Sequence, residues 1–140
     1  MTIIDANERL TGKRKSFDGK GSSLFPERWM RTVDERRGQV NEWRYIAMQV
    51  ITRNGGGFRI MAIIDAVFDM SSCQIISTDE EMAIEAGGCS VKTISRDIRA
   101  MKDMGLIIAE ETWIEKNGKM VKGRKIRLSI PSDLSGIFIR

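Results

Sequence analysis

The chain has 140 residues, of which 41% are hydrophobic and 30% are charged, and its formal net charge is +4. This length corresponds to one domain, and the hydrophobic content is well above that of disordered chains. Histidine does not occur and cysteine occurs twice, which excludes Ser-His and Cys-His catalysis, the common Cys/His zinc sites and a disulfide framework.

The first segment of the chain is polar. Residues 1–23 are rich in Gly, Ser and Lys and show no apolar periodicity, which predicts a flexible basic arm. The basic cluster of this arm comprises Lys13, Arg14 and Lys15. An arm of this kind either settles along DNA or serves only for solubility.

Residues 24–57 are predicted to form N-terminal helices. Pro26 is suited to the first turn of a short helix, which Gly38 interrupts. From Val40 onward, apolar residues recur at steps of three and four until the glycines that follow Asn54, which predicts a second, amphipathic helix.

One side of this second helix carries Trp43, Ile46 and Val50. Since a compact unit can be built largely from the residues that follow, this extra apolar stripe is predicted to support a homodimer. The alternative is that the stripe packs against its own domain.

Residues 58–131 are predicted to form the main domain, beginning with a core helix from Phe58 to Met70 and a short strand from Cys73 to Ile76. Thr78 and Glu81 have the spacing of a capping box, which predicts a third helix. Gly87-Gly88 must end that helix. Ser90 is placed to cap a fourth helix that runs to about Met104, with three apolar side chains pointing inward: Ile94, Ile98 and Met101.

A β-hairpin signal follows. Residues 106–115 and 125–130 read as two strands around a turn at Asn117-Gly118, and Pro131 ends the second strand. Residues 132–140 are predicted to form a C-terminal tail. The predicted fold class is mainly α with a small β-hairpin, in the α+β class.

The order of these elements is that of a winged helix-turn-helix domain with extra N-terminal helices. The stretch from Asp79 to Ile107 resembles the helix-turn-helix of DeoR-type regulators. The matching features are an alanine in the first helix, a glycine turn, a serine cap, Thr-Ile-x-Arg-Asp-Ile and a final Gly-Leu-Ile; the residues are Ala83, Gly87 or Gly88, Ser90, Thr93, Ile94, Arg96, Asp97, Ile98, Gly105, Leu106 and Ile107. The second glycine makes the turn one residue longer than the usual pattern.

Charge is distributed unevenly along the chain. Residues 58–88 contain one basic and six acidic residues, a balance of −5, whereas residues 89–140 contain eleven basic and six acidic residues, a balance of +5. A basic C-terminal part beside a helix-turn-helix pattern favours a polyanion as partner. We therefore expect a sequence-specific protein that binds double-stranded DNA, most simply a small transcriptional regulator.

The helix that begins at Ser90 is predicted to enter the major groove. Its outward residues are candidates for reading bases: Lys92, Arg96, Val91 and Ser95. Phosphate contacts are expected from the same helix and from the hairpin: Ser90, Thr93, Arg99, Lys119, Lys122, Arg124 and Lys125. The alternative role for Arg96 is an ion pair with Asp103 or a nearby glutamate.

Two other interpretations stay open. The protein could be a plasmid or phage accessory factor for replication or recombination, or the fold could be a winged-helix module for protein interaction. No nucleotide-binding glycine motif, membrane-length apolar run or secretory signal pattern occurs in the sequence. We expect a cytoplasmic protein that is not an enzyme, with no cofactor, no metal and no membrane partner.

Overall fold

The computed structural model describes residues 21–139, and it has an α+β fold. The elements, in chain order, are β1 (Ser22–Leu24), α1 (Val33–Asn54), α2 (Arg59–Val67), β2 (Phe68–Asp69), β3 (Gln74–Ser77), α3 (Asp79–Glu85), α4 (Val91–Asp103), β4 (Ile107–Lys116) and β5 (Lys119–Pro131). Among these residues, none of the helices combines the length and the apolar character that crossing a bilayer requires.

Helix α1 is one continuous helix, so the prediction of two helices separated at Gly38 is wrong. Thr32 caps its N-terminus in a capping box with Glu35, and Gly55 ends it in the left-handed conformation, with φ of 67°. Gly38 lies exposed within the helix. A mid-helix glycine costs only about 1 kcal/mol, which the packing of the helix's apolar side outweighs.

The apolar side of α1 is buried in the chain's own core. Trp43 and Val50 are 0% exposed and Ile46 is 2% exposed. The Trp43 indole Nε1 donates to the carbonyl oxygens of Leu106 (3.0 Å) and Ser129 (2.8 Å). The prediction of a homodimer contact at this stripe is therefore wrong, because these side chains have no surface left for a second copy.

Strand β5 organises the sheet. It pairs antiparallel with β1 through Leu24↔Ser129, with β3 through Ile75↔Ile126, and with β4 from Ile107↔Leu128 to Lys116↔Lys119. The predicted hairpin is confirmed, but its strands are 10 and 13 residues long, and they belong to a five-stranded sheet. The turn is formed by Asn117 and Gly118, both with positive φ, as a two-residue hairpin turn requires.

The predicted ends of the domain also need correction. Ser22 and Ser23 lie in strand β1, so the arm predicted at residues 1–23 extends too far; Lys13, Arg14 and Lys15 lie outside the described residues. The tail was predicted at residues 132–140, and its described part, residues 132–139, packs on helix α1. Ile137 is 9% exposed, Arg53 Nη1 donates to the carbonyl oxygen of Ser135 (2.7 Å), and Gln49 exchanges two hydrogen bonds with the Phe138 backbone.

Candidate nucleic-acid interface

Helices α3 and α4 meet at a tight glycine turn. Thr78 and Glu81 form the predicted capping box at the start of α3, and Ser90 caps α4 by accepting a hydrogen bond from the Thr93 amide (3.1 Å). Gly87 and Gly88 between the helices have φ of 92° and 90°, a conformation that suits glycine. The start of each helix and the turn between them are thus specified by residues that are close together in the sequence.

Helix α4 is attached to the rest of the domain by its buried inner side and by one ion pair. Ile94 and Ile98 are 0% exposed and Met101 is 3% exposed, as predicted. Arg59, at the start of α2, pairs with Asp97 on α4. Since Asp97 is neutralised in this way, the acid inside the Arg-Asp-Ile motif does not cancel the charge of the helix's outer surface.

The outer surface of α4 is basic. Lys92, Arg96 and Arg99 are exposed, and none of them forms a hydrogen bond or an ion pair with another residue of the range 21–139. The alternative pair between Arg96 and Asp103 is therefore not formed. Successive positions three or four apart share one side of a helix, so these three cations form a row. Val91 begins the helix and is 43% exposed.

The hydroxyls of Ser90 and Thr93 are used within the helix terminus. Their oxygens lie 2.9 Å apart, and Ser90 Oγ also accepts the amide hydrogen of Thr93. The amides of the first turn before Thr93 have no acceptor inside the helix, which gives this end the positive field of a helix N-terminus. The two hydroxyls are thus already engaged, and those amides are the polar groups of this helix end that are left without an acceptor inside the helix.

Arg124 was predicted to contact phosphate, and the structure instead places it inside the domain. Its Nε and Nη2 donate to the two Asp79 carboxylate oxygens (2.7 and 3.1 Å), and Nη2 also donates to Ser95 Oγ (3.3 Å). The bond to Asp79 raises the pKa of Arg124 above its ordinary value. Arg124 and Ser95 therefore join β5 to α3 and α4, and neither is a free DNA contact.

The three predicted lysines of the hairpin do not share one face. Residues of a strand alternate between faces, so Lys122 lies on the face that also carries the buried Ile126, while Lys125 lies on the opposite face. Lys119 adjoins the turn and has no polar partner in the described part of the chain. Lys122 Nζ is 3.6 Å from Glu111 Oε2, but both side chains are about 70% exposed, so this pair contributes little stability.

Two exposed apolar side chains were missed by sequence reasoning. Trp113 on β4 is 62% exposed and Met120 on β5 is 59% exposed. The apolar neighbours Ile114 and Val121 hid the alternation that would have shown which face is exposed. Ile114 covers Gly123, where an added Cβ would clash with Ile114 Cδ1.

Comparison with protein-family models, with curated proteins and with solved structures produced no match.

Proposed function

We propose that this protein is a sequence-specific double-stranded DNA-binding protein, acting as a small regulator. In this proposal α3 and α4 form a helix-turn-helix, and the β4–β5 hairpin is the wing of a winged helix. The observation that carries it is the row of exposed, unpaired cations Lys92, Arg96 and Arg99 on a helix whose other side is buried. An exposed, rigidly packed helix with a basic row has the shape and charge to enter the major groove.

The exposed residues of α4 and the hairpin are proposed to contact different parts of the DNA, according to where each side chain can reach. Lys92 and Arg96 are proposed to read bases, since both can donate to guanine edges, and the Val91 methyl groups suit a thymine methyl. Arg99 and the amides of the first turn of α4 would hold phosphates. Lys122, on the hairpin face that it shares with Arg124, and Lys119, beside the turn on the opposite face, would each hold a phosphate.

Selection of bound duplexes from a random pool tests the proposal, with the full chain as bait. We expect an enriched motif, with a single half-site if the protein acts as a monomer. Arg96→Ala should lower affinity for that motif about 10- to 100-fold and leave binding to random DNA nearly unchanged. Recovery of no motif would refute sequence-specific binding.

The salt dependence of binding separates base contacts from phosphate contacts. The Lys122→Ala variant should weaken binding to the selected and random duplexes alike, and should reduce the slope of log K against log salt by about 0.9 for the phosphate that is no longer neutralised. Lys125→Ala is the matched control, because it removes a lysine of the same strand from the opposite face. Equal effects of both variants would show that the hairpin attracts DNA only through its overall charge.

A replication or recombination accessory factor would use the same contacts. The arrangement of the selected sites would separate the two roles: one isolated site favours a regulator, and a closely spaced array favours an assembly on DNA.

A further inference from the structure

A cleft lies between helix α4 and the hairpin, on the side of α4 that adjoins the basic row. Its volume is about 360 Å³, within the range of about 300–1,000 Å³ that is typical of sites for small molecules. Helix α4 lines it with Ser95, Arg99 and Lys102, which share one side of the helix because they are four and three residues apart. The hairpin lines it with Glu111 and Arg124, which are directly opposed in the register of β4 and β5.

The charges that line this cleft are mainly positive. The described residues of its lining include one acid and three cations: Glu111, Arg99, Lys102 and Arg124. Arg99 and Lys102 are exposed, and neither forms a hydrogen bond or an ion pair with another residue of the range 21–139. Lys122 Nζ is 3.6 Å from Glu111 Oε2 and offsets part of the charge of this acid. The cleft therefore favours an anion with more than one charge.

Arg124 gives the cleft a cation whose position is already fixed. Its Nε and Nη2 donate to Asp79, Nη2 also donates to Ser95 Oγ, and the side chain is only 18% exposed. The third nitrogen, Nη1, has no hydrogen-bond partner within the described part of the chain. Since a guanidinium that is held in this way loses little freedom on binding, Nη1 is a preorganised donor for an anion.

A neighbouring cleft favours a small molecule over a DNA strand as the occupant. Arg124 and Glu111 also line this neighbour, and its other lining residues include Asp79 and Glu80. A phosphate backbone that followed both clefts would meet these acids, whereas a small anion occupies the basic cleft alone. Because most of the residues that line the basic cleft are polar, a ligand with a polar body fits it better than an apolar one.

We propose that this basic cleft binds a small polar dianion, whose charged group is held by Arg99, Lys102 and Arg124, and that the bound dianion weakens DNA binding. The second part rests on the proposed function, in which Arg99 holds a phosphate of DNA. Arg99 lies both in the basic row and in the cleft, so its guanidinium serves one anion at a time. The dianion is therefore an inhibitor of DNA binding that acts between α4 and the hairpin.

Inorganic phosphate tests the site on the full chain, with chloride at equal ionic strength as the reference. Backbone amide resonances followed by NMR should shift and saturate at millimolar phosphate, with the largest shifts around Ser95, Arg99 and Glu111. Lys102→Ala should weaken phosphate binding about 3- to 10-fold, because it removes one charged hydrogen-bond donor at an exposed position. Lys125→Ala, on the opposite face of the hairpin, is the matched control and should bind phosphate as the unmodified protein does.

Competition with DNA tests the regulatory part. At equal ionic strength, the anisotropy of a labelled duplex should report binding that is about 3- to 10-fold weaker in phosphate than in chloride, because the contact of Arg99 with DNA is lost. Lys102→Ala should remove most of this difference. It should still bind DNA in chloride nearly as tightly as the unmodified protein, since Lys102 has no proposed contact with DNA.

The outcomes separate this inference from the proposed function. Phosphate shifts no larger than those in chloride, or equal weakening by Lys102→Ala and Lys125→Ala, would overturn the dianion site. Phosphate binding with unchanged DNA affinity would overturn inhibition through Arg99. If Lys102→Ala lowers DNA affinity in chloride as much as Arg99→Ala does, the cleft holds phosphates of DNA and the dianion proposal is wrong. Phosphate binding by a protein that binds no duplex at low salt would refute the proposed function and leave the dianion site standing.

Discussion

The ion pair between Arg124 and Asp79 connects the hairpin to the start of α3, and its removal tests whether Arg124 is structural. Two hydrogen bonds of 2.7 and 3.1 Å join the guanidinium to the carboxylate, and the two side chains are 18% and 22% exposed. A third bond reaches Ser95 on α4. Arg124→Ala removes all three and leaves the Asp79 carboxylate partly desolvated without its partner.

The loss of unfolding free energy expected for Arg124→Ala lies between two limits. Hydrogen bonds to a charged group contribute about 1.5–3 kcal/mol each when buried, whereas an exposed ion pair contributes about 0–1 kcal/mol. With about one fifth of each side chain exposed, we expect Arg124→Ala to lower the free energy of unfolding by about 2–3 kcal/mol. Asp79 lies in the first turn of α3, where the helix dipole stabilises its charge even without Arg124. The cost of Arg124→Ala should therefore not exceed this range.

Urea denaturation followed by circular dichroism measures this effect. A double-mutant cycle with Asp79→Ala should give a coupling energy of about 1–2 kcal/mol, because each single variant removes the same interaction. Lys125→Ala, the adjacent cation on the opposite face, should change stability by less than about 0.5 kcal/mol. If Arg124→Ala matches this control and the coupling is near zero, Arg124 is a free surface cation and returns to the set of phosphate contacts.

Three further predictions concern single residues. Trp43→Phe should lower the free energy of unfolding by about 1–3 kcal/mol, because the indole donor to two buried carbonyls is removed, with no change in mass by sedimentation; conversion of a dimer to a monomer would restore the homodimer prediction. The hydrogen bond from Lys116 lowers the pKa of Glu81 below its ordinary value of 4.5. The stability that ionised Glu81 contributes is therefore present above its ordinary pKa and is lost as the pH falls through the lower folded pKa. Glu81→Gln should flatten the decline in melting temperature between about pH 5 and pH 3. An unchanged decline would contradict this. Gly123→Ala should cost about 1–3 kcal/mol in urea denaturation, since the added Cβ meets Ile114, and Ile114→Ala in the same chain should recover part of the stability; no recovery would place the strain elsewhere.

Elements whose signals are local could be predicted from the amino-acid sequence. The cap at Ser90, the capping box that begins at Thr78 and the turn at Asn117-Gly118 each depend on residues within a few positions of one another. The spacing of Ile94 and Ile98 likewise predicted the inner side of α4. These features could be predicted because a cap, a tight turn and a helical period are complete within one element.

Which cations are free and which apolar residues are covered depends instead on the tertiary structure. Arg124 is 45 residues from Asp79 in the chain, so no local pattern distinguished it from its exposed neighbour Lys122. Trp43 and Trp113 both occur in apolar patterns, yet one is buried by β5 and by the segment after α4, while the other projects beyond the core. Burial and ion pairing depend on which distant segments meet, and that is set by the packing of α1 and the hairpin around one core rather than by the spacing of residues along the chain.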